Sequence, residues 1–398
     1  MELSPVQKRT WANIDLDAAT HNFNEVKSRL TISTKLCCVV KANAYGHGAV
    51  QLSRLYERLG ADYLAVSNIE EALQLRKTGI ALPILILGYT DPECAKELAK
   101  NQITQCVFSY EYGQSLADNA RLHGVQVKIH IKLDTGMGRI GFKCEDIELD
   151  KAAQVCTMIG MNVEGVFTHF ASADEGVAGR EYTLSQFNKF CYGVNYLETK
   201  GVRFAIRHCA NSAGIFDYPE MHLDMVRAGI VLYGLQPSGI LSNPGDLNPV
   251  LTLKTIIDHV KTVHTGECIS YGREFEADHE MRVATIPIGY ADGLWRSNFP
   301  NQMVVEVNGK LAPIIGRICM DQCMIDVTDI SEASVNRKVT VYGTYGANSV
   351  DNIAKANGTI NYEIVCALGE RVPRVYTKDC RAIAVIDSII GKVDHFGD

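Results

Sequence analysis

The sequence predicts an α/β architecture, a (β/α)8 TIM-type barrel followed by a mostly β C-terminal domain. Three observations carry the prediction. Eight apolar runs of strand length follow one another within residues 35–234: "KLCCVV", "DYLAVS", "LPILILG", "ITQCVFS", "VKIHIKL", "VEGVFTHF", "RFAIRHC" and "MVRAGIVLYG". Amphipathic stretches of helix length separate them, among them "IEEALQLRKTG" and "EYTLSQFNKFCYGVNYLETKG", the latter ending at Gly201 as helices often do. Beyond the loop "QPSGILSNPGDLNP" the texture changes to alternating patterns, with a hairpin signal at Asn308-Gly309. Near-continuous apolar strands alternating with helices argue for a parallel sheet covered on both faces, and a closed barrel of eight such units takes roughly 250 residues. A doubly wound open sheet has the same element order, and counting leaves it open. The boundaries read as 12–240 for the barrel and 241–398, with 1–11, for the β domain.

Composition narrows the class. The chain has 398 residues, a net charge of −7 and thirteen cysteines, which are odd in number and scattered through apolar runs. That charge offers no field for nucleic acid or an anionic membrane. Cysteine used as a small core residue suits a reducing cytoplasm. The start "MELSPVQKRTW" has no apolar leader, and no later run is long enough to span a bilayer. A soluble, intracellular, cytoplasmic protein is the expectation.

In a barrel enzyme the reacting groups sit beyond the C-terminal ends of the strands. Taken strand by strand, these are Lys41 after the first, then Lys132, Asp134 and Arg139 along and after the fifth, with Thr168 and His169 ending the sixth. His208, Asn211 and Ser212 follow the seventh; Arg227 and Gly229 belong to the eighth. Any one Ser or Asn among them reads equally well as a cap or turn residue, but together they outline one mouth lined for chemistry. A lone lysine after a strand is ordinarily a solvated turn residue. In a low-dielectric mouth its ammonium form is disfavoured, and the free amine is what imine chemistry requires.

"DTGMGRIG" places Gly136, Gly138 and Gly141 in the spacing G-x-G-x-x-G. The dinucleotide fingerprint belongs after a first strand and needs an acid at the end of the next. Here it follows the fifth run, and the nearest acid, Glu164, begins the following strand, which argues against a nicotinamide cofactor. No metal is expected: H-E-x-x-H is absent, and "CMDQC" supplies one cysteine pair without a second.

These residues also carry a resemblance. In "WANIDLDA", "VVKANAYGHG", "KLDTGMGRIGF", "EGVFTHFA", "ANSAG", "VRAGIVLYG", "SYG", "IPIGYADGLWR", "GRICMDQ", "NYEI" and "RVPR", in that order, the chain resembles the pyridoxal-phosphate-dependent alanine racemases over nearly its whole length. The resemblance implies a barrel plus β domain, pyridoxal 5'-phosphate as cofactor, and interconversion of L- and D-alanine by two-base proton transfer at Cα. It implies that Lys41 holds the cofactor and serves the D-isomer, with Tyr271 as the base for the L-isomer. Tyr45, Ser212, Gly229, Ile230 and Tyr362 would receive the phosphate, Asn211 would also bind the cofactor, and His169 would pack on the pyridine ring. Arg227, backed by His208, would face the ring nitrogen. A guanidinium does not give up its proton, so that nitrogen stays unprotonated and side reactions such as transamination are suppressed.

Arg139 and Met320 would contact substrate, Arg139 also the cofactor, and Lys132 is the candidate for carbamylation to N6-carboxylysine. Tyr290, Arg296, Asp321 and Arg374 would line the entrance. Tyr271 and Met320 would come from a partner subunit, which implies a homodimer with shared active sites, and the product would supply D-alanine for peptidoglycan and cell wall biogenesis. Asn13 stands where many relatives carry an acid. A racemase of serine or several amino acids, a barrel decarboxylase and a vitamin B6-balancing barrel protein are the competing readings; the last lacks a β domain.

Overall fold

The computed structural model describes residues 9–300 and 303–395. Residues 1–8, part of the 1–11 segment assigned above to the β domain, lie outside the described residues, as do 301–302 and 396–398. Contacts divide the chain into two units. One comprises Thr20–Ala44 and Ala49–Leu247; the other comprises the chain up to Ala19, Tyr45–Gly48 and everything from Asn248 onward. Strand β1 (Thr10–Asp15) belongs to the second unit, where it pairs with strands from far along the chain.

The first unit is a nearly closed parallel barrel. Its strands are β2 (Lys35–Val39), β3 (Tyr63–Val66), β4 (Ile84–Ile86), β5 (Ile103–Val107), β6 (Val127–Asp134), β8 (Met161–Phe167), β9 (Ile206–His208) and β10 (Met225–Ala228), with the two-residue β7 (Phe142–Lys143) beside β6. They are ordered β10-β2-β3-β4-β5-β6-β8-β9, so each of the eight apolar runs supplies one barrel strand. Two backbone bonds link the ends of that order, Asp224 N–H to the Arg207 carbonyl (3.1 Å) and Arg227 N–H to the Ala210 carbonyl (3.0 Å). Every residue of β3, β4 and β5 is buried, as expected of strands covered on both faces. The helix Ile69–Lys77 is capped by Asn68, whose side chain accepts from Glu71 N–H. The long helix Gly176–Thr199 stops before Gly201, whose φ of +88° a side chain would resist.

Two irregularities place the site. The β6–β8 register runs Ile129 to Val163 but His130 to Gly165, so Glu164 is the extra residue of a bulge. After β2, Ala42, Asn43, Ala44 and Tyr45 all have φ of 51–53°, a left-handed turn that costs roughly 1–2 kcal/mol per non-glycine residue. The surroundings impose it. Glu71 accepts from Ala42 N–H and Ser67 N–H (both 2.7 Å), and Asn43 Oδ1 accepts from Ala49 N–H (2.8 Å). The backbone is thus clamped immediately after Lys41, and strain held by such over-determination clusters at functional sites.

The second unit is built on one sheet. It contains β1 with β11 (Leu251–Ile256), β12 (His259–Val263), β15 (Met281–Ile286), β16 (Val304–Val307), β17 (Lys310–Ile315), β18 (Cys323–Asp326), β19 (Lys338–Tyr342), β20 (Arg374–Lys378), β21 (Arg381–Asp387) and β22 (Lys392–His395). A separate ribbon pairs β13 (Cys268–Ile269) with β14 (Phe275–Glu276). The β16–β17 hairpin turns at Asn308 and Gly309, both at positive φ, as the Asn-Gly signal predicts. Val263, Ile269, Ala277, Met281, Val283 and Ile315 form one of its cores. Among the described residues no helix is long and apolar enough to cross a membrane.

Candidate active site

Strands β6, β8, β9 and β10 bring their predicted site residues together inside the barrel unit. Arg227 is the hub and is buried. Its Nη1 donates to His208 Nδ1 (2.8 Å), and its Nη2 donates to the carbonyls of Thr168 (2.8 Å) and Cys209 (3.1 Å), with His169 Nδ1 at 3.4 Å. Burial lowers its pKa to about 10, which leaves the guanidinium charged at neutral pH. Phe167 stacks flat on His208, ring centroids 4.8 Å apart, and the Arg227 guanidinium carbon lies 5.4 Å from the Phe167 centroid.

Lys132 sits on the same aromatic ring, its Nζ 4.6 Å from the Phe167 centroid, at 4% exposure. Burial first, and Arg227 next, push its amine down to about 7. His169 is held well below the usual imidazole range by burial and then by Arg227, Lys132, Arg139 and Lys41. Several basic side chains therefore act together to keep this imidazole neutral. Lys41 is half-buried at the end of β2 and Arg139 is exposed on the loop after β6. Asp134, the acid of that loop, accepts from Gly136 and Gly138 N–H (both 3.0 Å). Gly136, Gly138 and Gly141 all have positive φ, so the glycine spacing shapes this loop. Ser212 Oγ accepts from Gly229 N–H (2.9 Å) two residues beyond Arg227, while Asn211 caps the following turn by accepting from Gly214 N–H. Ile230 is buried.

The remaining predicted residues lie in the second unit. Tyr45 is buried, its ring 5.9 Å from that of Tyr362. Tyr271, Tyr290 and Met320 are exposed at 66%, 43% and 53%. Tyr290 N–H donates to the Cys319 carbonyl and Ala291 N–H to the Met320 carbonyl, which holds Tyr290 against the Met320 loop. The contact requires Gly289, where a Cβ would lie 2.3 Å from the Cys319 carbonyl oxygen. Asp321 pairs with Arg371 (2.6 Å), which also binds the buried Asp292. Arg296 is exposed.

Arg374 is buried. Expected at an entrance, it is only 3% exposed, and it donates to the carbonyls of Gly46, Leu368, Gly369 and Val372. It is a clamp on backbone turns of its own unit.

Sequence reasoning overlooked His130, Phe167, Glu164 and Gln186. Gln186, buried on the long helix, donates to the His169 carbonyl and accepts from Ala171 N–H. His130 carried a signal, because it precedes Lys132 and Asp134 by two and four residues, the period of one strand face.

A barrel that gathers lysine, arginine and imidazole side chains at the carboxyl ends of its strands, with a β unit after it, has the make-up of a barrel enzyme. The profile described as alanine racemase, N-terminal domain, matches residues 14–237, and that described as alanine racemase, C-terminal domain, matches 250–376. The alanine racemase of Desulfovibrio desulfuricans is 47% identical over 372 residues, 92% of this chain and 98% of its own. Among solved structures, the alanine racemase of Clostridium difficile 630 superposes with a TM-score of 0.91 at 40% identity, covering 95% of this chain and 98% of the other. That of Bacillus anthracis with bound L-Ala-P gives 0.92 at 37% identity, covering 97% and 100%. The chain belongs to the alanine racemase family, and its activity is alanine racemisation.

Proposed function

We propose that the protein interconverts L- and D-alanine by a two-base proton transfer at Cα, with pyridoxal 5'-phosphate carried on Lys41. The observation that carries this reading is the buried Arg227 hub, which donates to His208 Nδ1 and lies 3.4 Å from His169 Nδ1, with the Lys132 amine on the Phe167 ring of the same cluster. A basic cluster of that kind, with a serine hydroxyl and backbone N–H groups beside it, suits a cofactor bearing an aldehyde, a phosphate and a phenolic oxygen. Lys41 is the residue for the aldehyde. Tyr45, Ser212, Gly229, Ile230 and Tyr362 are the groups for the phosphate, Asn211 is a further cofactor-binding residue, and His169 is the residue for the ring face. Arg139 is the residue for the phenolic oxygen and, with Met320, for the substrate; Arg227, supported by His208, is the residue for the ring nitrogen. When bound, the cofactor supplies the electron withdrawal that acidifies the α-proton. Lys41 then takes or returns that proton on one face of Cα and Tyr271 on the other. Arg227 donates without parting with its proton, so it keeps the ring nitrogen unprotonated.

Tyr271 and Met320 serve a partner copy's site in this reading, which makes the protein a homodimer with shared sites. The exposure of Tyr271, Tyr290 and Met320 on one unit supports it, since large apolar groups held at the surface favour a covering partner. Tyr290, Arg296 and Asp321 border the entrance. The thirteen cysteines are all free thiols, in keeping with a reducing cytoplasm, where the product would feed peptidoglycan. In the test, purified protein given L-alanine drives optical rotation to zero with no keto acid formed. Rotation that persists overturns the reading.

Lys132 is the proposed carbamylation site. Its unprotonated Nζ attacks carbon dioxide: one N–C bond forms, one C=O π pair moves onto oxygen and one proton leaves the nitrogen, so that a buried neutral amine becomes an anion able to pair with the positive charge of Arg227. The sign of the pH effect follows from the lowered pKa. Between about pH 7 and the ordinary lysine value of 10.5, the unfolded chain holds a proton that the unmodified folded chain lacks. Stability in carbonate-free buffer should therefore rise with pH across that window. Bicarbonate at pH 7–8 should raise Tm and add the mass of one carbon dioxide in native mass spectra, and Lys132→Met should show neither. Equal bicarbonate responses in both proteins would remove Lys132 from this role.

A further inference from the structure

We propose that Glu164 is a positioning residue that acts on Arg227 through two buried histidines, fixing which ring nitrogen of each carries the proton. The chain of contacts crosses the barrel interior from β10 to β8. Arg227 Nη1 lies 2.8 Å from His208 Nδ1, His208 Nε2 lies 2.9 Å from His130 Nδ1, and His130 Nε2 lies 3.1 Å from Glu164 Oε2. Each link has one polarity. A guanidinium offers only donors, so His208 Nδ1 must accept and the proton of the neutral ring sits on Nε2. That proton faces His130 Nδ1, which must accept in turn, leaving the His130 proton on Nε2 to be donated to the carboxylate. Both histidines are neutral: burial first, opposed at His130 by Glu164 and reinforced at His208 by Arg227, lowers each below the usual range.

The far end is anchored as firmly as the near one. Glu164 also accepts from the Tyr63 hydroxyl (2.7 Å) and pairs with Lys128 (3.1 Å). Burial alone would raise its carboxyl, but the bonds from His130, Tyr63 and Lys128 outweigh it and hold the group at about 2. A cation and an anion thus terminate a chain of two aligned imidazoles, each polarising the next. The bulge at Glu164 re-aims this side chain, and the residue after it is Gly165, where a Cβ would stand 2.7 Å from the His130 ring. Phe167 lies flat against His208 and fixes its ring plane.

Were the acceptor at Glu164 lost, His130 could move its proton to Nδ1. His208 Nε2 would then have to accept, and its own proton would point from Nδ1 at a guanidinium that is also a donor. The bond that orients Arg227 would break. The effect on turnover rests on the role proposed above for Arg227; the proton order does not.

The test is 15N NMR of histidine-labelled full-length protein, with cofactor and without. Wild type should show His130 and His208 as Nε2–H tautomers. Glu164→Leu should shift at least one of them to Nδ1–H or to an averaged signal, and Glu164→Gln, which keeps an acceptor, should restore the wild-type pattern. Gly165→Ala, which crowds His130 and leaves Glu164 in place, should disturb the same two signals. In the loaded enzyme Glu164→Leu should lower kcat by about tenfold or more, as loss of an outer-shell partner commonly does, with KM within about twofold, and Glu164→Gln should recover most of it. An Nδ1–H tautomer at His208 in wild type, or unchanged tautomers in folded Glu164→Leu, overturns the inference. A wild-type protein that shows this tautomer order but no racemisation instead contradicts the proposed function.

Discussion

Replacing Lys41 with arginine should abolish both the visible colour of the purified protein and its racemase activity. Arginine keeps the positive charge and the approximate length, but a guanidinium does not release its proton near neutral pH. It therefore offers neither a nucleophilic amine nor a base. The expected fall in kcat is at least the 10²–10⁴-fold that positioned acid–base groups commonly supply, with loss of covalent cofactor attachment added to it. The fold should survive, because Glu71 and Asn43 clamp the left-handed turn behind Lys41. Far-UV circular dichroism and Tm check that point. A Lys41→Arg protein that is yellow and active would show that another amine does the work, and Lys132, pushed down to about 7, is the first to examine.

Tyr271→Phe should separate the two halves of the reaction. L- and D-alanine are mirror images, so their equilibrium constant is one, and kcat/KM must fall by the same factor in both directions. That factor should be about 10²–10⁴. The asymmetry emerges in D2O. With Lys41 intact, D-alanine should exchange its α-hydrogen for deuterium with retention of configuration, while L-alanine, whose base is gone, should exchange far more slowly. Cofactor absorbance should be unchanged. Equal exchange of the two enantiomers, or undiminished racemisation, would take Tyr271 out of the mechanism and leave its 66% exposure as that of an ordinary surface aromatic.

The barrel strands were legible because a parallel strand covered on both faces must be apolar at nearly every position, and "KLCCVV" or "LPILILG" states that without help from the rest of the chain. The cluster at the strand ends was legible for the same reason in reverse, since Lys132 and Arg227 are charges inside runs that otherwise exclude them. What escaped depended on distant partners. "ANAY" carries no glycine, so nothing local announces four left-handed residues; the conformation is imposed by Glu71, some thirty positions away. Arg374 reads as an entrance residue; its carbonyl partner at Gly46 is set by a distant part of the chain and not by its neighbours in sequence. The bulge that re-aims Glu164 is a matter of register between β6 and β8, and register is set by the pair of strands, not by either one.

Borohydride reduction of the native protein followed by peptide mapping tests the central claim most directly. The cofactor's mass should be fixed on the single peptide containing Lys41, with activity lost in proportion to labelling. Label on a Lys132 peptide, or full activity after reduction with no lysine modified, would contradict it.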